Sequence, residues 1–468
     1  MDDDSGAKPR VAILGLSLEL YEHALPEAVA RFADQFDRFA SKIGTVASVV
    51  SGRLCFRRED IGRFVAQAEK EGVDALVVLP VSYTTSGTSR GPLTGTHLPV
   101  VIWNTQEAES FGPALTYDDV LMNHVTQGTQ DLTSVLCRAR RVFGMESGHF
   151  ADATALTRLG DWLAAARTLT WARTCRVGIL GRPFQDMDDF DVDEPLMASR
   201  WGPQTVHLEV EELAALLQQV DEADVAARVA EDARKYDVAP EVTPELHRTS
   251  AAIECALRRL VEEHCLDAFT MGFLDLVEDE RCPTLPFLGI NKLMGEGLGY
   301  AGEGDRMTAA HMAQAFRLCG AANFTEMFTI DYAADRVLMM HMQECNPALA
   351  RSDRKVRLVR KDFWAPGVEP YVGMVFTLEP GPVTLTAVVP DGNGAFVYLA
   401  YETRIEDMVP LPEIDVPHWV VQLDEPVGDF LTRYSLAGGP HHLVSIPGHQ
   451  SERLRKLAHL QGFGFRAL

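Results

Sequence analysis

Short apolar runs alternate with amphipathic stretches along the first 150 residues. Strand-like runs occur at 11–15, 45–50, 75–80, 100–103 and 142–145. Helix-like patterns occupy 25–43 and 58–71 between them. Short buried strands that alternate with helices are typical of a parallel sheet covered on both faces. The pattern therefore predicts an α/β domain over residues 1–165.

The same alternation returns after a long helical segment at 153–172. We predict strands at 176–180 and 268–271, and an apolar segment follows at 285–290. The predicted helices are 211–220, 222–236, 244–264 and 307–318. This pattern predicts a second α/β domain, which we place at residues 166–320.

Strand-like runs dominate the chain after residue 320. They are 324–332, 336–342, 355–362, 373–378, 383–389 and 395–401. The sequence Asp-Gly-Asn-Gly at 391–394 indicates a tight hairpin turn between the last two. An amphipathic stretch lies at 427–436, and a short helix is expected at 450–461. Residues 321–468 are therefore predicted to form a β-rich domain, so that the fold is α/β, with two parallel-sheet domains followed by the β-rich one.

Composition restricts the partners and the compartment. The formal net charge of −24 argues against a nucleic-acid partner, because binding phosphates requires clustered Lys and Arg. No apolar run is long enough for a transmembrane helix, and the acidic N-terminus lacks the pattern of a signal peptide. The eight cysteines include no CxxC pair, which argues against a zinc ribbon or a disulfide framework. We expect a cytoplasmic protein without a membrane partner.

Glu303 lies in a glycine-rich stretch, GYAGEGD at 299–305, directly before a predicted helix. Glycine permits unusual backbone angles and the close approach of a ligand, and Asp305 or Thr308 can cap the helix. The alternative is a turn whose acidic residues only face the positive end of the helix. The local context favours neither interpretation.

Glu326 and His341 lie in two strand-like runs that a turn at Ala333–Ala334 would join. A turn centred between the alanines places the two residues directly opposite each other, with Cβ atoms roughly 5 Å apart. The apolar neighbours of His341 indicate that its side chain is buried. A surface Glu–His pair is the alternative.

His441 and His442 follow Gly438-Gly439-Pro440, a sequence typical of a tight loop that presents side chains to a site. We expect one of the two to be a metal ligand and the other to contact substrate or orient the site. An exposed pair of histidines is the alternative. If Glu303, Glu326, His341 and His442 converge, they form an oxygen and nitrogen ligand set suited to a divalent cation such as Mn²⁺.

Two other segments carry glycines or carboxylates but do not match a known binding motif. The sequence GILGRP at 178–183 does not match GxGxxG, so no dinucleotide cofactor is predicted. The stretch 186–194 is rich in carboxylates but lacks the spacing of an EF-hand, and a solvated acidic loop is the expected structure.

Three segments together resemble the L-arabinose isomerase family, within the L-arabinose/L-fucose isomerase group. They are LGYAGEGDRMTAA, the block from 326 to 347 that ends in HMQECNP, and LAGGPHHLVS. Weaker similarity occurs at VAILGLSLELY, IWNTQ, DAFTMGFLDL and LGINKLMGEG. The resemblance implies two Rossmann-like domains followed by a β-rich domain, a hexamer with active sites near subunit contacts, and Mn²⁺ as the usual ion.

The resemblance also implies roles for individual residues. The metal ligands would be Glu303, Glu326, His341 and His442, and the two glutamates would form the acid/base pair. Phe273 would form an aromatic wall of the sugar site and His441 would lie beside the substrate. Gln127 aligns loosely with a substrate-binding glutamine.

Several positions depart from the family pattern near the sugar. Met327 and Phe328 follow Glu326, where an acidic or amide residue and then a tyrosine are usual. Leu18 replaces a usual glutamine, and Pro440 replaces a small residue. These departures leave the identity of the sugar open.

The function predicted from these residues is a metal-dependent aldose–ketose isomerase that acts on an L-arabinose-like or related sugar. A divalent ion would polarise the carbonyl, while one glutamate removes a proton and the other supplies one. A sugar epimerase and a non-catalytic, sugar-binding regulatory protein are the alternatives.

Overall fold

The chain divides into two compact units. The computed structural model describes residues 7–279, 281–363 and 368–468. The first unit comprises residues 7–171 and 455–463, and the second comprises the described residues of 172–454 together with 464–468. The three-domain division at 165/166 and 320/321 stays a prediction.

A five-stranded parallel sheet forms the centre of the first unit. Its strands are β1 (Arg10–Leu16), β2 (Ser48–Cys55), β3 (Ala75–Pro80), β4 (Val100–Asn104) and β5 (Gly144–Ser147). The helices are α1 (Leu20–Ala24), α2 (Pro26–Val46), α3 (Arg58–Lys70), α4 (Ser86–Gly95), α5 (Tyr117–Met122), α6 (Thr126–Arg138) and α7 (Ala153–Ala172). The strand order is β2-β1-β3-β4-β5, with every pairing parallel.

Helices cover both faces of this sheet. Ala12 and Leu14 of β1 pack in one cluster with Ile61 and Phe64 of α3. On the opposite face, a Cβ added to Gly15 would lie 2.7 Å from the Phe36 ring of α2. Strands buried on both faces require nearly continuous apolar runs, which explains the pattern in the sequence.

A second, four-stranded parallel sheet lies in the second unit. The strands of this region are β6 (Arg176–Leu180), β7 (Gln204–Leu208), β8 (Asp237–Val238), β9 (Ala268–Met271) and β10 (Gly299–Ala301). The helices are α8 (Glu194–Leu196), α9 (Val210–Leu217), α10 (Glu222–Lys235), α11 (Pro244–Glu263), α12 (Phe273–Glu278), α13 (Phe287–Gly295) and α14 (Arg306–Cys319), with a π-helical turn at Met197–Trp201. The sheet order is β10-β9-β6-β7, while β8 pairs with a later strand.

The remainder of the second unit is rich in antiparallel strands. The strands of this region are β11 (Asn323–Asp331), β12 (Arg336–Met340), β13 (Arg357–Lys361), β14 (Tyr371–Val375), β15 (Gly381–Pro390), β16 (Phe396–Ile405), β17 (His418–Gln422), β18 (His442–Pro447) and β19 (Gly464–Ala467), of which β19 pairs in parallel with β16. The helices are α15 (Val427–Leu436) and α16 (Ser451–Gln461), and residues 455–461 of α16 belong to the first unit. The order β15-β18-β11-β12-β17-β16 closes on itself through the β15–β16 pairing, and β19 adds to β16. The six strands therefore form a closed barrel, and β14, β13 and β8 form a small separate sheet.

The fold class predicted from the sequence is confirmed: two parallel sheets precede a strand-rich region. The turn at 391–394 is also confirmed, since Asp391 Oδ1 accepts hydrogen bonds from the backbone N–H groups of Asn393 and Ala395.

Several predicted strands have different bounds; the strand predicted at 142–145, for example, is Gly144–Ser147. The predicted strand 45–50 is wrong at its start, because α2 continues to Val46 and β2 begins at Ser48. β-branched residues favour strands, but here they complete the last turn of a long helix. The predicted strand 373–378 lies two to three residues too late, since β14 is Tyr371–Val375. Within the described residues, no helix combines the length and the apolar character needed to cross a membrane.

Candidate metal centre

Glu303 lies in a strained turn between β10 and α14. Its φ is +64° and that of Gly304 is +86°, so two consecutive residues adopt a left-handed conformation that is rare for a glutamate. A Cβ on Gly304 would collide with the backbone of Pro183, and the Glu303 carbonyl accepts a 2.8 Å hydrogen bond from Phe184 N. Strain of this kind persists where the surroundings hold the chain, and it is common at functional sites.

The predicted cap of α14 is confirmed. The Asp305 side chain accepts a 2.8 Å hydrogen bond from Thr308 N. Asp305 is fully buried, and its second carboxylate oxygen accepts a 2.9 Å hydrogen bond from His442 Nδ1. One residue therefore caps the helix and orients a histidine of the barrel.

Glu326 and His341 come together, but not through the predicted register. The turn is centred between Ala333 and Ala334 as expected, since Asp331 pairs with Arg336. An irregularity between Met327 and Thr329 then shifts the register by one, and Glu326 pairs with Met340. His341 lies just beyond the end of β12, and its Nε2 is 3.9 Å from Glu326 Oε2. The predicted direct opposition is wrong, whereas the predicted burial of His341 is confirmed at 5% exposure.

The loop before β18 presents both histidines to the site. A Cβ on Gly439 would collide with the Tyr434 ring, and the Tyr434 hydroxyl donates a 2.7 Å hydrogen bond to the Pro440 carbonyl. His442 then begins β18 and pairs with Glu326 across the strands. The small residues of this loop allow a tight turn against α15, which brings the two imidazoles to the glutamates.

The four predicted metal ligands converge within the second unit. His442 Nε2 lies 3.4 Å from Glu303 Oε2 and 3.7 Å from Glu326 Oε1. Two groups of possible ligand atoms overlap at His442: one contains Glu303 and His441, and the other contains Glu326 and His341. In each group the atoms lie within 4.8 Å of one another, which is close enough for one ion to contact them all.

The donor atoms fit a divalent cation. Among the described residues, Glu303 Oε2 and His442 Nε2 are buried and have no hydrogen-bond partner. Buried polar atoms without partners are costly, and they are explained where an ion completes the site. Carboxylate oxygen and imidazole nitrogen together suit Mn²⁺ and similar ions.

A carboxylate lies behind each of the three imidazoles. Glu344 Oε2 accepts a 2.5 Å hydrogen bond from His341 Nδ1, and the Tyr300 hydroxyl donates to the other Glu344 oxygen at 3.2 Å. Asp189 Oδ2 accepts a 2.6 Å hydrogen bond from His441 Nδ1, as Asp305 does from His442. With each Nδ1 bound in this way, each Nε2 is directed at the glutamate pair, an arrangement typical of metal-binding histidines.

The pKa shifts show how the charges of the site influence one another. Burial would lower the pKa of His341, but the Glu344, Glu326 and Glu303 carboxylates raise it to about 9. Burial would raise the pKa of Glu303, yet the nearby imidazoles of His441, His442 and His341 hold it well below its usual range. The site therefore attracts positive charge strongly, and metal binding displaces protons from such groups.

Aromatic rings hold the imidazoles in place. The Phe190 ring stacks on that of His442 at 5.4 Å between centroids and 2° between planes. Phe324 packs 4.8 Å from both His341 and His442. Contacts of this kind restrict the ring orientations and so prepare the site for an ion.

A cavity of about 650 Å³ opens beside Glu303, and Glu303, His341 and Glu344 lie in its wall. The other lining residues are mostly apolar or aromatic, and they include Phe184, Phe273, Phe287, Leu338, Met340, Phe363, Ile414 and Val416. Phe273, which the sequence indicated as an aromatic wall, lies in this lining with its ring 5.7 Å from that of Phe184. Gln127 is exposed at the start of α6 in the first unit, and its predicted role stays a prediction.

The segment 186–194 is not the purely solvated loop that the sequence indicated. Phe190 is buried on the histidines, Asp189 binds His441, and Glu194 and Asp191 form ion pairs with Arg306. The carboxylate spacing gave no sign of these contacts, because the partners lie more than 110 positions away. The sequence pattern also did not predict Glu344 as the partner of His341, although its position three residues after the histidine was a local sign of such a contact.

Comparisons with known proteins agree with this geometry. The family model of the L-arabinose isomerase central domain matches residues 192–321, and that of the L-arabinose isomerase C-terminal domain matches residues 321–464. The two matches meet at residue 321 and together span more than half of the chain. The chain belongs to the L-arabinose isomerase family.

Relatives named L-arabinose isomerase agree with this assignment. The protein from Salmonella paratyphi A is 26% identical over 382 residues, which cover 77% of this chain and 74% of the relative. The protein from Nocardioides sp. is 28% identical over 377 residues, with 78% and 74% covered. This member of the L-arabinose isomerase family is a sugar isomerase of the aldose–ketose class, an intramolecular oxidoreductase.

Proposed function

We propose that the chain is a metal-dependent aldose–ketose isomerase that acts on an L-arabinose-like or related sugar. The observation that supports this most directly is the pair of buried, unpartnered atoms Glu303 Oε2 and His442 Nε2, which face each other at 3.4 Å. With Glu326 and His341 they form the ligand set that would hold a divalent cation, and Mn²⁺ suits these ligands. When bound, the ion would supply electrostatic stabilisation of negative charge on substrate oxygens.

The two glutamates are proposed as the acid/base pair. Aldose–ketose isomerisation moves a proton between C1 and C2, so a base must accept a proton from one carbon and an acid must supply one. Glu303 and Glu326 enter the site from opposite sides, one from the strained turn before α14 and the other from β11. Both lie within 4 Å of His441 Nε2. The geometry is symmetric enough that either could be the base.

The cavity wall is proposed to hold the carbon chain of the sugar. Phe273 and Phe184 offer aromatic faces, which suit the C–H faces of a sugar ring, and His441 is the imidazole with the greatest exposure. Phe328, which stands where the family usually has a tyrosine, is 43% exposed. Because the metal set matches the family while Phe328 departs from it, we propose a related sugar as readily as L-arabinose itself.

The reaction can be tested with a panel of tetroses, pentoses and hexoses. The protein is stripped with a chelator, and ketose formation in D₂O is followed with and without added Mn²⁺. We expect a ketose product, deuterium incorporation at the transferred position and strict dependence on the metal. An aldose product inverted at C2 would identify an epimerase instead. Equal turnover in the chelated protein would contradict the metal dependence.

The assembly and the compartment are proposed from the family resemblance alone. We propose a homo-oligomer, a hexamer by resemblance, that works in the cytoplasm. Light scattering of the purified chain would give its mass directly, and a monomer of 51.6 kDa would contradict the first proposal.

A further inference from the structure

The three carboxylate–imidazole pairs of the site differ in where their carboxylates lie. Glu344 and Asp305 are buried, with side chains 4% and 0% exposed. The side chain of Asp189 is 41% exposed and belongs to the segment 186–194. Two pairs are therefore fixed by the body of the second unit, while the third depends on a surface segment.

Asp189 binds His441 at two points. Its Oδ2 accepts a 3.0 Å hydrogen bond from the His441 backbone N–H and a 2.6 Å hydrogen bond from Nδ1. His441 follows Gly438-Gly439-Pro440, and its side chain is 37% exposed. Its ring lies beside the rings of Phe190 and His442, with centroids 5.8 Å and 4.1 Å away, while its Nδ1 and its backbone N–H both donate to Asp189. The two bonds to Asp189 set the direction of Nδ1 and therefore that of Nε2.

This orientation directs the His441 Nε2 atom toward the reacting groups. Nε2 lies 3.7 Å from Glu303 Oε2 and 3.6 Å from Glu326 Oε1. The ring therefore lies between the two carboxylates that are proposed to move the proton. A substrate oxygen that approaches both glutamates would also meet this nitrogen.

The segment that carries Asp189 is itself fastened to the site. The Phe190 ring stacks on His442, and Asp191 and Glu194 pair with Arg306, the first residue of α14. Arg306 directly follows Asp305, which orients His442. The segment, the start of α14 and the two histidines are thus linked by contacts that hold Asp189 where it can bind His441.

We propose that Asp189 is a positioning residue of the isomerase reaction, which holds His441 so that its Nε2 contacts the substrate between Glu303 and Glu326. The inference rests on the proposed function, since it assumes that these glutamates act on a bound sugar. Asp189 itself reaches neither the glutamates nor the ion site, and it acts only through His441.

Asp189→Ala tests this role, with Asp188→Ala as the matched control on the neighbouring exposed residue. We expect Asp189→Ala to lower kcat/KM by about 10- to 100-fold, the range found when a carboxylate behind a site histidine is removed. Asp189→Asn should fall between Asp189→Ala and the wild type, because its amide oxygen still accepts hydrogen bonds. Mn²⁺ affinity, measured from the EPR signal of the free ion, should stay close to that of Asp188→Ala, since the four proposed ligands Glu303, Glu326, His341 and His442 are untouched. A loss of Mn²⁺ affinity alone would show that Asp189 orients His441 as a ligand of the ion, and it would overturn the proposed contact with the substrate.

A purely structural role would give a different result. If Asp189→Ala lost Mn²⁺ affinity and thermal stability together with activity, or matched Asp188→Ala in kcat/KM, the proposal would be overturned.

A second measurement does not depend on turnover. In the metal-free, ¹⁵N-histidine-labelled protein, Asp189→Ala should shift the ring resonances of His441, assigned by their loss in His441→Gln, while those of His341 stay in place. Unchanged His441 resonances would overturn the positioning role. A wild-type protein that isomerises no aldose would contradict the proposed function, and the resonance shifts would still report whether Asp189 orients His441.

Discussion

Two buried clusters of charge lie in the second unit, and they differ in how their charges are paired. In the first, Lys292 Nζ lies 2.5 Å from both Asp232 and Glu254. His247 pairs with Asp232 at 2.9 Å, and Arg258 pairs with Glu254 at 2.8 Å. Each buried carboxylate of this cluster has a cation beside it, so the cluster is complete without a ligand.

The candidate metal centre contains carboxylates and imidazoles but has no lysine or arginine against its glutamates among the described residues. Glu303, Glu326, Glu344 and Asp305 surround the two buried histidines, and two ligand atoms have no partner. A buried charge that is left without compensation is expensive, so such a site is stable only with protons or a cation in it. Burial and charge are therefore shared by the two clusters, and what separates them is the lysine and arginine that lie against the carboxylates of the first.

The largest expected effect is a loss of turnover when a glutamate of the candidate metal centre is substituted. Glu303→Gln and Glu326→Gln should each lower kcat by about 10²–10⁴-fold, since general acid–base groups contribute that much. Glu262→Gln, at an exposed glutamate of α11, is the control and should match the wild type. Steady-state assays with the best aldose of the panel measure the effect, and near-normal turnover in either site variant would refute the acid/base assignment.

A substitution in the cluster around Lys292 should instead lower the stability of the protein. Lys292→Met leaves two buried carboxylates without their shared cation, which costs about 3–5 kcal/mol. The melting temperature should fall, while kcat per folded protein stays near the wild-type value at low temperature. The exposed substitution Lys355→Met is the control. The double variant Lys292→Met/Glu254→Gln should recover part of the loss, and no recovery would show that packing rather than charge is responsible.

Metal removal should affect the two clusters differently. At a Mn²⁺ concentration of 100 times its Kd, binding to the folded state contributes about 2.7 kcal/mol, so chelation should lower the melting temperature. His442→Asn should abolish this response, because His442 belongs to both groups of possible ligands. His449→Asn, at an exposed histidine, and Lys292→Met should both retain it. A metal response that persisted in His442→Asn would place the ion elsewhere.

The sequence predicted the parts of the fold that local pattern determines. β3, β6 and β9 have the predicted bounds because strands buried on both faces are short, nearly continuous apolar runs. The hairpin turn at Ala333–Ala334 was also predicted, but the irregularity near Phe328 was not, since an extra residue in a strand leaves no mark on an apolar pattern.

The site was predicted only as far as its residues lie in recognisable segments. Glu303, Glu326, His341 and His442 could be named, and the structure brings them together. The carboxylate partner of His441 could not be named from the sequence. Asp189 is 252 positions away, and it lies in a segment whose composition indicated a solvated loop. Pairing across such distances depends on the folded topology, and one sequence contains no record of it.

The smallest expected effect lies at the rim of the candidate metal centre, where we propose that the substrate rather than the ion binds. Phe273→Leu removes an aromatic face worth about 0.5–1.5 kcal/mol, so KM should rise by about 2- to 12-fold. The ligands and the acid/base pair are unaffected, and kcat should therefore change little. Leu436→Ala, at a highly exposed residue outside the cavity, is the control. Suppose instead that Phe273→Leu lowered kcat and left KM unchanged. The ring would then stabilise the transition state specifically. The division between a charged centre for the chemistry and an apolar wall for substrate binding would be wrong.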